Sequence, residues 1–359
     1  MKYYKTCPIS VNQLFFLLFV SRILVSLTYI PSMNYQQTKG DLLLSILLAA
    51  PILILAWLPI SIYMKRNSNM PIMQLDSVVG EKTVKALCSL YFLWFVLSAG
   101  LNVSRFVTFV NTQMSPQMSK ILLSVLIIIG ACYGAFLGLQ SLGRVASVLI
   151  WLLLVGFVII LGMSSKYFTV TNFSPILENP ISDNILNAVS IASSTSEMAV
   201  VLFVLPTMNE KIGKKFALWS VGVFAVIWVL YFFTVGTLGE YAKIEAYPVF
   251  TLSQISGDNL FERMEVVHTS FWLLALFLKT AMFISCASFC VKTVFPNISK
   301  LFSIAVSGVS SIVSAIVISS VFAVYNGAVN PYVTIVSFAV FIVVIPTALI
   351  LLGRRKSHA

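Results

Sequence analysis

The sequence predicts an all-α integral membrane protein with about ten transmembrane helices, and two observations carry this. Hydrophobic residues make up 59% of the chain and charged residues only 10%, with a mean hydropathy of +0.97. A soluble domain carries about 25% charged residues. The apolar residues also come in blocks of roughly 20, the length a helix needs to cross ~30 Å of hydrocarbon. Loops are short throughout, so residues 1–359 read as a single transmembrane domain with no room for a soluble one.

Taken in order, the ten expected spans are 11–31, 41–63, 84–110, 120–138, 143–163, 184–207, 216–239, 263–291, 300–323 and 332–352. The stretch before the first span, MKYYKTCPIS, lacks a signal-peptide cleavage site, so that span is expected to stay. Residues 240–262, EYAKIEAYPVFTLSQISGDNLFE, are too polar to span. Their core, Tyr247 to Ile255, reads as a short helix across the outer mouth, the alternative being a plain surface loop. With the N-terminus inside, cytoplasmic segments hold fifteen Lys and Arg and outer loops hold five. That positive-inside bias puts both termini in the cytoplasm.

The sixth span is where the pattern departs from plain hydrocarbon. Asp183 to Pro206 reads DNILNAVSIASSTSEMAVVLFVLP, with Ser193, Ser194, Thr195 and Ser196 followed by Glu197. The sequence places no other carboxylate inside an apolar span. A charge at that depth is expensive and should face a polar cavity. Three bases share the problem: Arg22 in the first span, Arg105 towards the outer end of the third and Lys279 deep in the eighth. Snorkelling could account for Arg105 but hardly for the other two. Either these groups form a structural ion-pair network, or they build a midplane site for a small zwitterion. In such sites interrupted helices lend freed backbone groups as ligands. Ser and Thr hydroxyls can satisfy backbone released by a broken helix, which suits the hydroxyl run to an interruption.

Other function classes lack their parts. The net charge of +11 lies mostly in alternate loops, where topology signals belong, which argues against nucleic acid. There is no Walker A loop, no Gly-x-Ser-x-Gly, no HExxH and no metal-ligand spacing, so neither an enzyme nor a cofactor is expected. Cys286 and Cys290 lie four apart on one helix and read as small packing residues.

Several stretches resemble one family. ISVNQLFFLL and YIP in the first span, SRFV in the third, SLGR before the fifth and SSTSEMAVVLFVLPTMN in the sixth are similar to the spore germination permeases. AYPVFTLSQISGDNLFERMEVVHTSFWLLALFLKTAMF, leading into the eighth span, is the most specific part. These are the B subunits of GerA-type germinant receptors, within the amino acid–polyamine–organocation superfamily. The resemblance implies a LeuT-like transporter fold of 5+5 inverted repeats with interrupted first and sixth helices. Repeat one would cover about 11–163 and repeat two about 184–323, with the tenth helix, 332–352, counted with repeat two.

By the same resemblance the ligand would lie between Leu24, Ser26 and Tyr29 of the first span and Ser193, Ser194, Thr195, Ser196 and Glu197 of the sixth. Arg22, Arg105 and Lys279 would line the walls or couple, and Tyr247, Pro248, Phe250 and Thr251 would form an outer lid. The first span carries no glycine; Leu24-Val25-Ser26 stands where relatives break the helix with small residues. The implied role is a non-enzymatic subunit in a spore inner membrane or plasma membrane. It would bind a small nutrient, an amino acid, and signal to a soluble-domain A-type subunit and a lipoprotein C-type subunit. A proton- or sodium-coupled amino acid transporter and a structural or channel-forming subunit are the alternatives.

Overall fold

A computed structural model of the chain describes residues 9–28, 39–66, 70–174, 178–204, 212–257 and 263–356. Among these the regular structure is all helical. Nine helical stretches are long and apolar enough to cross a membrane, and a shorter apolar helix, α1 (Val11–Thr28), precedes them. α1 is unbroken through Leu24-Val25-Ser26, so any break in the first span falls beyond Thr28, outside the described residues.

The second span is two pieces, α2 (Lys39–Ala56) and α3 (Leu58–Arg66). Pro51 lies inside α2 and can donate no ladder hydrogen bond. The ladder still bridges the junction, because Trp57 N donates to the Leu53 carbonyl (3.1 Å) and Ser61 N to that of Trp57 (2.9 Å). After a short turn, α4 (Asp76–Val79) leads into α5 (Glu81–Phe109), which ends in a widened π turn over Val110–Met114. α6 (Lys120–Leu137) is capped by the Ser119 hydroxyl, which accepts from Leu122 N. Gly138, at φ 94°, makes the corner into α7 (Leu139–Ser164) that a side chain would resist.

The sixth span is α8 (Ile181–Ser193) and α9 (Met198–Val204), separated by four non-helical residues. α10 (Ile212–Leu238) follows, then the short α11 (Tyr241–Ile244) and α12 (Pro248–Ile255). Pro248 opens α12 from the first turn, where its missing N–H costs nothing. The helix expected at Tyr247–Ile255 is therefore present. The eighth and ninth spans are α13 (Met264–Val294) and α14 (Lys300–Ser320), and the short α15 (Phe322–Val329) connects α14 to the last span. The final span runs through α16 (Pro331–Phe338), a π segment over Ala339–Val344 and α17 (Ile345–Lys356). In that segment the Phe341 carbonyl accepts from the Tyr91 hydroxyl of α5 (2.8 Å), and Trp94 stacks on the Phe341 ring. A helix widened by one residue thus has its loosened carbonyl tied to a neighbour.

Burial ranks the spans. In α13, 83% of the apolar stretch is buried and in the sixth span 78%, against 28% in α6. The two central spans are those carrying Lys279 and Glu197, while the periphery is left to meet lipid. Close approach around α13 uses small residues, as is common where helices pack in a bilayer. Gly156 of α7 abuts the Phe271 ring, and Gly130 of α6 abuts that of Phe277. Gly156→Val would drive a side chain into that ring. It is expected to cost about 1–3 kcal/mol, read as a lower midpoint in thermal unfolding of detergent-purified protein. An unchanged midpoint would show that the α7–α13 contact is looser than its geometry. Cys290 lies against Cys88 of α5 and Cys286 is buried one turn away, which fits a packing role.

Candidate functional site

The break in the sixth span is made by hydroxyls, without glycine or proline. The Ser193 hydroxyl donates to the Val189 carbonyl (2.7 Å) and that of Ser194 to Ser190 (3.1 Å), competing with the backbone for the last carbonyls of α8. Thr195 N then reaches back only to the Ala192 carbonyl (3.1 Å), closing the helix. Met198 N to Thr195 O (3.2 Å) and Val200 N to Glu197 O (3.0 Å) begin α9. Ser193, Ser194 and Thr195 are buried and Ser196 is half-buried.

Two cations hold the two ends. Arg22, fully buried on α1, donates through Nη2 to the Ile191 carbonyl (2.9 Å), through Nε to Thr195 Oγ1 (3.0 Å) and through Nη1 to Ser26 Oγ (3.4 Å). Its guanidinium also lies over the Phe224 ring of α10. The planar fork suits it to several acceptors at once, and a cation at the carbonyl end of α8 is where the helix dipole favours one. Glu197 stands just before α9 and accepts from Lys279 Nζ at 3.1 Å. Lys279 also donates to the Ser21 carbonyl (3.2 Å), so α1, the break and α13 meet at one point. Both members of the pair are essentially unexposed, at 0% and 1%. The second carboxylate oxygen, Glu197 Oε1, and the neighbouring hydroxyls of Ser21 and Thr280 are buried with no hydrogen-bond partner among the described residues.

The expected site residues thus separate into groups. Arg22, Ser26, Thr195, Glu197 and Lys279 come together in one network, with Leu24 buried on the same helix. Ser193 and Ser194 spend their hydroxyls on the helix end. Tyr29 lies outside the described residues, as do residues 258–262 at the end of the expected lid. Arg105 is buried on α5 rather than snorkelled out, and its charge acts on both Lys279 and Tyr247, placing it between the ion pair and α12.

α12 is seated more deeply than a segment lying across a mouth. Tyr247, Pro248 and Phe250 are buried and Thr251 is half-buried, the helix being wedged against α7, α10 and α13. Burial pushes the Tyr247 phenol up to about 12, with Tyr325 adding to the effect; a hydrogen bond with Thr112 and the Arg105 charge oppose it. Sequence reasoning missed two groups. Glu197 is not alone as a buried acid: Asp41, in the first turn of α2, is 0% exposed and accepts from Asn179 N (3.0 Å) and Nδ2 (2.9 Å). It lies at a span end, and no spacing in the sequence links it to Asn179. The other is His268 on α13, buried among aromatic rings.

The buried charges thus sit at a broken central helix inside a bundle of helices long enough to span a membrane, in a multi-pass membrane protein with a LeuT-like fold. A solved structure shares the fold with a TM-score of 0.62 at 15% identity, covering 98% of this chain and 82% of that one. It is described as the substrate-bound outward-open state of a Na+-coupled sialic acid symporter with a novel Na+ site. A search of curated proteins returns no match. The family model described as spore germination protein, the spore permeases, matches residues 8–323. The chain belongs to that family.

Proposed function

We propose that the protein is the germinant-binding membrane subunit of a spore germinant receptor, a non-enzymatic B-type subunit. It takes a small nutrient, an amino acid, between the Leu24–Tyr29 stretch and the Ser193–Glu197 break. It passes the event to a soluble-domain A-type subunit and a lipoprotein C-type subunit. Membership of the spore germination family over residues 8–323 carries this reading. The break supports it chemically: Glu197 gives one oxygen to Lys279 and keeps Oε1, a buried acceptor of negative charge, for the ammonium of an arriving ligand. Arg22, Arg105 and Lys279 then act as wall or coupling residues, and Tyr247, Pro248, Phe250 and Thr251 as the outer lid. The two five-helix repeats are about 11–163 and about 184–323 together with the tenth helix, 332–352, and both termini face the cytoplasm of a spore-inner-membrane or plasma-membrane protein.

The test is amino acid binding to the purified protein in nanodiscs, followed by germination of spores carrying Glu197→Gln with Ser194→Ala. A loss of nutrient response by about tenfold or more is expected if a charged hydrogen bond is removed. Unchanged sensitivity would move the ligand elsewhere. The rival, an ion-coupled amino acid transporter, rests on the shared transporter fold. Proteoliposomes holding this chain alone are expected to show no uptake of labelled amino acid under a pH or sodium gradient; accumulation would favour the transporter.

A further inference from the structure

One end of the bundle gathers the basic ends of three helices. α3 finishes in Lys65 and Arg66, α5 opens with Lys82 and Lys85 in its first turns, and α17 finishes in Arg354, Arg355 and Lys356. α17 packs against both α3 and α4, and α4 runs straight into α5, so the three ends lie together. Lys65, Arg66 and Lys82 are exposed. Two acids share the corner: Glu81 is paired with Lys85 (2.7 Å), and Asp76 accepts from Ser77 N (3.0 Å). Seven bases against two carboxylates leave a positive field there. Deeper in the bundle the same helices turn apolar side chains outward. Ile62, about one turn from Arg66, is 50% exposed, and Leu90, about two turns from Lys82, is 42% exposed. Leu351 and Leu352, also exposed, precede the basic residues of α17. The last span adjoins both other helices, because its π segment touches α3 and its Phe341 is held by Tyr91 and Trp94 of α5.

We propose that this corner binds an anionic phospholipid, its headgroup phosphate among the basic helix ends and its acyl chains along the apolar strips that run into them. Cations anywhere on the correct side satisfy a topology signal. Here three segments far apart in the sequence bring theirs to one place, and each helix continues directly into side chains that face hydrocarbon. That continuity selects a lipid over an acidic protein segment, which would meet the charges and leave the strips uncovered. Each base near the membrane surface strengthens the hold on an anionic headgroup roughly fivefold. A zwitterionic headgroup brings its own cation and gains little. The site is independent of whatever ligand the central break takes.

The experiment titrates delipidated full-length protein in detergent with dioleoyl phosphatidylglycerol or dioleoyl phosphatidylcholine and counts bound lipid by native mass spectrometry. The wild-type protein is expected to prefer the anionic lipid by about tenfold or more. Arg66→Gln with Lys82→Gln should remove most of that preference. Arg144→Gln with Lys214→Gln takes the same charge from exposed positions at the starts of α7 and α10, outside this corner, and should leave the preference intact. Equal binding of the two lipids by the wild-type protein would overturn the proposal, as would a corner variant that keeps its preference. An equal loss in both double variants would reduce the effect to net charge and remove the site. Soluble glycerol phosphate that displaces the lipid at matching concentration would show a phosphate site without a part for the acyl chains, and the lipid assignment would fall.

Discussion

Lys279→Met is expected to destabilise the protein by about 3–5 kcal/mol, because it strands a carboxylate in the centre of the bundle. Glu197 and Lys279 are both fully buried and 3.1 Å apart, so neither can recover its hydration by turning to solvent. The double change Glu197→Gln with Lys279→Met should restore most of the loss. Two neutral groups of similar shape remove the charge problem that each single change creates. Unfolding of the four proteins in one detergent closes the cycle. Additive losses would mean that the two side chains stabilise the bundle through separate contacts and not through each other. The same quartet separates structure from response: a double variant that folds yet ignores nutrient would assign the carboxylate to the ligand.

Arg22→Leu is the second large effect, expected at about 3 kcal/mol. The Ile191 carbonyl and the Thr195 hydroxyl lose their donor together, and each buried acceptor left bare costs about 1–3 kcal/mol. The loss should be local before it is global. Hydrogen exchange in peptides covering residues 190–200 should rise well before the rest of α8 changes. Arg22→Lys should fall between the two, since an ammonium lacks the fork that reaches three acceptors. Protection around the break that is indifferent to Arg22 would show the hydroxyls of Ser193 and Ser194 to be sufficient by themselves.

The interruption of the sixth span was legible because a run of four hydroxyl residues and an acid has no other reason to sit in hydrocarbon. α12 was legible from the mixture of aromatic and polar residues between Tyr247 and Ile255, too polar to span. Which base pairs with Glu197 was not. Arg22, Arg105 and Lys279 are equivalent in sequence, and only the packing of α1 and α13 decides that Lys279 takes the carboxylate while Arg22 takes the helix end. Periodicity gives little help, because lipid lets a helix be apolar all round and erases the stripe that marks a buried face in water. Asp41 escaped for the same reason: its partner, Asn179, lies 138 residues along the chain. The split of the second span at Ala56–Leu58 and the widened turns in α5 and the last span left no trace in composition.

Ser21 and Arg22 are adjacent on α1, yet the first serves Lys279 through its carbonyl and the second serves α8 and Thr195 through its side chain. Consecutive residues on a helix project about 100° apart, so α1 is keyed to its two neighbours like a cam. A small twist or slip of that rod cannot release one grip and keep the other. A movement of α1 therefore disturbs the ion pair and the end of α8 together.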